Sequence, residues 1–157
     1  MRKLKTTPAK PSRPPPSLED EAFVSVLRAA DSLSRDMDQL LKSAELSLTQ
    51  YNVLRILRGA GPPGLACGEI RERMLTRDPD ITQLLDRLEA RRLVTRERER
   101  ADRRVVKTHI TGEAQRILKG LDEAVAERHR RQFEHLEKRQ LGQLVRLLGQ
   151  ARGARPV

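Results

Sequence analysis

The stretch ITQLLDRLEARRLVTRERERADRRVVKTHIT, residues 81–111, changes its periodicity twice. Ile81, Leu84, Leu85 and Leu88 fall at i, i+3, i+4 and i+7, so they form one apolar face of a helix. Asp78-Pro79 just upstream is a start signal, with Asp as N-cap and Pro at the first helical position, and the helix should run to about Arg92. After it come two short β-branched runs, predicted as strands near 93–99 and 104–110, on either side of an alternation of Arg and Glu. A helix followed directly by a charged two-stranded ribbon is the pattern that decides the fold.

The helix face opposite the leucines shows Gln83, Asp86, Arg87 and Ala90, with Thr82 at its edge. A helix seated in a major groove presents such a face, its N-terminal side chains reaching base edges. Gln83 can bond an adenine edge with two hydrogen bonds, Thr82 can meet a base or a phosphate, and Arg87, one turn later, is expected to meet phosphate. Arg77, just before the cap, suits a phosphate better than it suits the positive end of a helix. Alone, this helix reads better as an ordinary amphipathic surface helix. The ribbon shifts the balance, because residues 96–107 hold six basic residues (Arg96, Arg98, Arg100, Arg103, Arg104, Lys107) against three acids. A narrow minor groove attracts inserted arginine through its negative potential. Two acids then need partners. Asp102 is expected to pair with an adjacent guanidinium and aim Arg104, and Asp86 to pair with an arginine of the ribbon and orient it.

Upstream, Ser17-Leu18-Glu19-Asp20 resembles a capping box. Phe23, Val26, Leu27, Ala30, Leu33, Met37, Leu40 and Leu41 then form a stripe on a long first helix. Ser47 to Gln50 repeats the cap before a second helix through Tyr51, Val53, Leu54, Ile56 and Leu57, which GAGPPG (59–64) stops. A short third helix should run from Cys67 to Met74, burying Ile70 and Met74. Downstream, Thr111 opens a long helix with Ile117, Leu118, Leu121, Val125 and Phe133 on one side, and a last helix carries Leu141, Leu144, Val145 and Leu148. The sum is a mainly α chain with a small β-wing: a winged helix-turn-helix lobe over 46–110 and a helical dimerisation region over 18–45 and 111–151. The stripes at Phe23, Leu27, Leu141, Leu144 and Leu148 exceed what one small lobe can cover, so a homodimer is expected to bury them.

Composition points the same way. The 157 residues carry 32 basic against 22 acidic side chains, a net charge of +10, which makes a polyanion the first partner to consider. Aromatics make up only 2%, too few for the stacking platforms of single-strand readers, so double-stranded DNA remains. Residues 1–17 hold five basic residues, no acid and five of the nine prolines, and read as a disordered basic arm, more a solvated tail than a DNA contact. No apolar run approaches a membrane span and no signal-peptide pattern precedes the first helix, so a cytoplasmic protein is expected.

The run LTRDPDITQLLDRLEARRLVTRERERADRRVVKTHITGEAQRIL resembles the core of the MarR family of bacterial winged helix-turn-helix transcriptional regulators. The likeness rests on Leu85-Asp86-Arg87-Leu88-Glu89, the apolar Leu93-Val94, the Asp102-Arg103-Arg104 tip and Ile110-Thr111-Gly112 leading into the next helix. It extends in order and spacing over about residues 18–150. The resemblance implies a homodimer on a pseudo-palindromic operator, with Thr82, Gln83 and Arg87 in the major groove and Asp102 and Arg104 forming the wing tip. It also implies a repressor released by a small aromatic or anionic effector. Three departures stand out: Arg92 replaces the glycine that usually ends the recognition helix, Gln83 stands where many members carry arginine, and Gly112 follows the threonine directly.

Other chemistry finds little support. No nucleophile elbow, Walker motif, dinucleotide glycine pattern or zinc-protease helix is present, so no enzyme, cofactor or metal is expected. His109, His129 and His135 share no helical face. Cys67, near a helix start, is a candidate redox residue, although a small half-buried side chain is the plainer reading. Tyr51 and Arg28 could line an effector pocket, but read more simply as core and surface. The alternative function is a non-specific architectural DNA binder, followed by a helical interaction module.

Overall fold

A computed structural model describes residues 16–75, 80–99 and 102–153. The predicted cap at Asp78-Pro79, Arg77, Arg100 and all but the last two residues of the N-terminal arm lie outside them. The elements in order are α1 (Leu18–Leu41), a 3-10 turn (Lys42–Ala44), α2 (Leu48–Ala60), β1 (Leu65–Ala66), α3 (Cys67–Arg73) and α4 (Ile81–Ala90). They continue with β2 (Val94–Arg98), β3 (Val106–Ile110), α5 (Gly112–Phe133) and α6 (Lys138–Ala151). The chain divides into two units, Met1–Ser32 and Leu33–Val157.

The described part of the first unit is the N-terminal stretch of α1. Ser17 caps it: its hydroxyl accepts from the Asp20 N–H at 3.2 Å, and the Asp20 carboxylate accepts from the Ser17 N–H at 3.1 Å. Phe23 is 66% exposed and Leu27 54%, so this end of the stripe is uncovered.

The second unit holds the core. Met37 and Leu41 at the end of α1, Tyr51, Val53, Leu54 and Leu57 of α2, and Ile70 of α3 are buried in one cluster with the leucine face of α4. Leu46, Leu65, Leu93, Val94, Ala114, Leu118, Leu121 and Val125 complete it. The predicted strands are shorter than expected, and they gain a partner. β3 pairs antiparallel with β2, Val94 opposite Ile110 and Arg98 opposite Val106, and on its other edge with the two-residue β1, Leu65 opposite Thr108. α3 ends one residue early, with Met74 in extended backbone and only half-buried.

Polar contacts lock helix to helix. Arg58 of α2 grips Asp122 of α5 with two bonds of 2.9 and 3.0 Å. Asp36 of α1 accepts from Gln132 at 2.8 Å and from Arg128, both on α5. Those donors, Gln132 first and then Arg128, outweigh partial burial and hold the Asp36 carboxyl below its ordinary range. Among the described residues, no helix is long and apolar enough to cross a membrane.

Two backbone positions carry opposite strain. Gly64 adopts φ +61°, and a Cβ there would stand 2.6 Å from the His109 ring and 2.7 Å from the Thr108 carbonyl oxygen. Arg92 adopts φ +59° with a full side chain, where glycine is the ordinary choice. Gly64→Ala should therefore destabilise the fold by more than about 2 kcal/mol, combining left-handed strain with a backbone clash. Arg92→Gly should stabilise it by roughly 0.5–1 kcal/mol, the released strain exceeding the added entropy of glycine in the unfolded chain. Urea titration of both variants measures this, and an Arg92→Gly protein less stable than wild type refutes the second half.

Candidate nucleic-acid interface

α4 is capped by Asp80, not by Asp78. The Asp80 carboxylate accepts the Gln83 N–H at 3.0 Å and its carbonyl accepts the Leu84 N–H at 3.1 Å, so the helix starts after the Asp-Pro pair that promised the cap. The leucine face is seated as its spacing requires: Ile81, Leu84, Leu85 and Leu88 are buried while Thr82, Gln83, Asp86, Arg87 and Ala90 are exposed. Gln83 and Arg87, one turn apart, are joined, with Arg87 Nη2 donating to Gln83 Oε1 at 2.6 Å. The bond draws the two side chains together on the outer face, leaving the Gln83 amide N–H groups and the remaining guanidinium donors for a ligand.

The helix ends in a left-handed turn. Arg92 N–H donates to the Glu89 carbonyl at 2.8 Å and Leu93 N–H to the Leu88 carbonyl at 2.9 Å, the paired bonds of a Schellman motif. Leu88 and Leu93 are both buried beneath the turn, supplying the apolar contact that accompanies it. Thr111 closes it from the start of α5, donating its hydroxyl to the Arg92 and Leu93 carbonyls at 2.9 and 3.2 Å and accepting from the Ala114 N–H at 3.3 Å. Gly112, directly after that threonine, is simply the first residue of α5.

The ribbon is fastened to α4 by Arg96. Its Nε and Nη2 donate to Glu89 at 2.9 and 2.5 Å, and Nη2 also to Asp86 at 2.5 Å. The Glu89 carboxylate, with Asp86 adding to it, holds this guanidinium protonated above its already high range. Asp86 thus faces an arginine in the middle of β2. Glu89, a second acid on the same arginine, escaped the sequence reading, although its place three residues after Asp86 on one helix face was a signal.

At the tip, Asp102 departs from expectation. Its carboxylate accepts the backbone N–H of Arg104 at 2.9 Å, and its carbonyl accepts the Val105 N–H at 2.9 Å. The acid shapes the turn through the backbone instead of gripping a guanidinium, as a short side chain two residues from an N–H favours. Arg103 and Arg104 are exposed, Arg98 is exposed on β2, and Lys107 turns back to Glu69 of α3 at 3.3 Å.

The remaining candidates scatter. Cys67 is half-buried as the first residue of α3. His109 meets the Pro62 carbonyl oxygen at 3.1 Å, while His129 and His135 are exposed elsewhere. Arg28 is exposed on α1, and Tyr51 is buried. Tyr51 also borders a cavity of about 200 Å³ between α2 and α5, lined by Arg55, Arg58, Asp122, Val125, Ala126 and His129. The Arg55 guanidinium stands 5.8 Å from the centre of the Tyr51 ring. Burial raises the Tyr51 phenol above its ordinary range. Leu141 and Leu144 on α6 are half-buried and Leu148 is 38% exposed.

A three-element helix-turn-helix with an antiparallel ribbon fastened to its last helix is a winged helix-turn-helix. The sequence profile of the MarR family matches residues 44–105, from the turn after α1 to the ribbon tip. The HTH-type transcriptional regulator TtmR of Methylorubrum extorquens (strain PA1) is 38% identical over 106 residues, 68% of this chain, and the chain spans only about half, 53%, of that relative. The crystal structure of a MarR transcription factor from Planctomyces limnophilus is 40% identical, with a TM-score of 0.66 over 85% of this chain and 96% of that one. A mutant of MarR from E. coli, solved with operator DNA, shares the fold at 20% identity, with a TM-score of 0.77 over 87% of this chain and 99% of that one. The chain belongs to the MarR family of DNA-binding transcription regulators.

Arg96 should couple more strongly to Glu89 than to Asp86, because Glu89 takes two of its N–H groups. Double-mutant cycles with Ala, read by urea denaturation, should give up to about 1 kcal/mol for the first pair and less for the second, since both pairs are partly exposed. Equal couplings would show that the ribbon is held by diffuse charge.

Proposed function

We propose that this protein is a homodimeric, cytoplasmic regulator that binds a pseudo-palindromic operator in double-stranded DNA and represses transcription until a small effector releases it. The observation that carries the reading is the outward face of α4. Thr82 and Gln83 stand in its first turn, Arg87 one turn later, and the Arg96 clamp holds a ribbon whose tip exposes Arg103 and Arg104. In this reading Gln83 and Arg87 meet base edges as a joined pair, Thr82 and Arg77 meet phosphate, and Arg104 enters the minor groove from a turn shaped by Asp102. The operator-bound relative of the same fold supports the mode of binding.

The lobe at 46–110 then carries recognition, and the helices at 18–45 and 111–151 carry assembly. Val145 is 66% exposed and Leu147 50% on α6, and Phe23 and Leu27 are exposed on α1, apolar area that a second copy would cover. The cavity beside Tyr51 offers Arg55 for an anionic group and Val125 for an apolar edge of a small effector.

Selection from random DNA tests the reading. A two-fold site should emerge, with half-sites about 10 base pairs apart centre to centre. Gln83→Ala should cost about 1–3 kcal/mol against the preferred base and relax that position. Because Arg87 holds Gln83, Arg87→Ala should relax the same position, and the double variant should lose less than the sum. A motif unchanged in Gln83→Ala would remove α4 from base readout. Enrichment of no sequence at all would favour the non-specific architectural binder. Affinity should fall with a log–log salt slope of about −0.9 per phosphate contacted.

Assembly has its own test. Leu144→Asp should place an unpaired charge in the α6 interface and give monomers or unfolded protein, while wild type sediments as a dimer at about micromolar concentration. A monomeric wild type would refute the assembly.

A further inference from the structure

The C-terminal end of α4 is held by the segment that leaves α1. Arg91, the C-cap residue, donates Nη1 to the Glu45 carbonyl oxygen at 2.5 Å and Nη2 to the Ala44 carbonyl oxygen at 3.5 Å. Glu45 itself is left-handed, φ +54°, and ends the 3-10 turn through its own N–H to Lys42 and that of Leu46 to Leu41. Its carboxylate, 3.7 Å from Arg91, is 87% exposed and adds little. The grip is on carbonyls at the negative end of a helical turn, where a guanidinium is favoured.

We propose that Arg91 is a positioning residue that fixes the tilt of the recognition helix on the end of α1 and thereby sets the half-site spacing the protein accepts. The inference rests on the operator reading above. Its physical basis is leverage. α4 has ten residues, about 15 Å of helix, so a tilt of roughly 10° at the Arg91 end moves the other end by roughly 3 Å. That displacement approaches the rise of about 3.4 Å per base pair, and two subunits tilting in opposite senses double it. A joint made only of apolar packing would resist such tilting weakly, because dispersion and burial are not directional. A two-pronged hydrogen bond to fixed carbonyls is directional.

The experiment compares wild type with Arg91→Ala on the selected operator, on operators one base pair longer and shorter between half-sites, and on a duplex with one half-site. Wild type should lose about tenfold in affinity for a one-base-pair change. In Arg91→Ala that ratio should shrink to about threefold or less, while half-site affinity stays within about twofold of wild type. Arg91→Gln, which keeps one amide donor on a shorter chain, should fall between them, and serves in its place should Arg91→Ala melt below the assay temperature. A variant that keeps the wild-type spacing ratio, or loses half-site affinity as steeply as full-site affinity, overturns the proposal. A wild type that selects no two-fold site removes the operator reading and this inference with it.

Discussion

How α4 ends governs the arrangement around it. The residue after its cap is left-handed, which turns the chain and sends Leu93 and Val94 into the core as the first residues leading along β2. Had α4 continued one more turn, Leu93 would lie on a helix and β2 would lose its register against Ile110. The arrangement survives without glycine because several bonds converge on it. Two backbone bonds close the Schellman turn, the Thr111 hydroxyl bridges two of its carbonyls, and Arg91 ties its start to the Ala44–Glu45 segment. Strain of about 1–2 kcal/mol at a non-glycine residue persists where the surroundings over-determine the backbone in this way.

The same end of the helix explains why acids stand on the surface proposed to meet DNA. Asp86 and Glu89 would repel phosphate if they were free, but both are engaged by Arg96, which is itself only 26% exposed. The pair of acids fixes β2 to α4 through Arg96, the same helix that carries the Gln83–Arg87 pair on its outer face. A ribbon joined only through its hairpin backbone would pivot about β2, and its arginines would not be placed relative to the helix.

Much of this was legible. The leucine spacing gave the buried face of α4, the Ser47–Gln50 box gave the start of α2, and GAGPPG marked the turn that Gly61 and Gly64 make with positive φ. What escaped had a physical reason in each case. Asp78 and Asp80 carry the same capping chemistry, and sequence alone does not say which of them stands three residues before the first free N–H of the helix. β1 is two residues long, too short to show alternation, and exists because the edge of β3 needed a partner. Asp102 bonds a backbone N–H two residues on, a local contact that takes the place of the expected guanidinium. Arg91 bonds a carbonyl 46 residues distant, and no local pattern encodes a contact of that range.

These pairings also change what the net charge means. Of the basic residues counted between 96 and 107, Arg96 is bound to Asp86 and Glu89, and Lys107 to Glu69. Both hold the lobe together and are poorly placed to release counterions from DNA. Arg98, Arg103 and Arg104 are exposed and make no ion pair among the described residues. The ribbon's attraction for phosphate therefore comes from its tip and outer edge, and fewer charges contribute there than the composition suggests. Salt sensitivity follows the number of phosphates neutralised, and not the formal charge. A ribbon built this way commits part of its charge to holding β2 against α4, and the arginines left exposed at its tip are the ones the proposed contact with DNA would use.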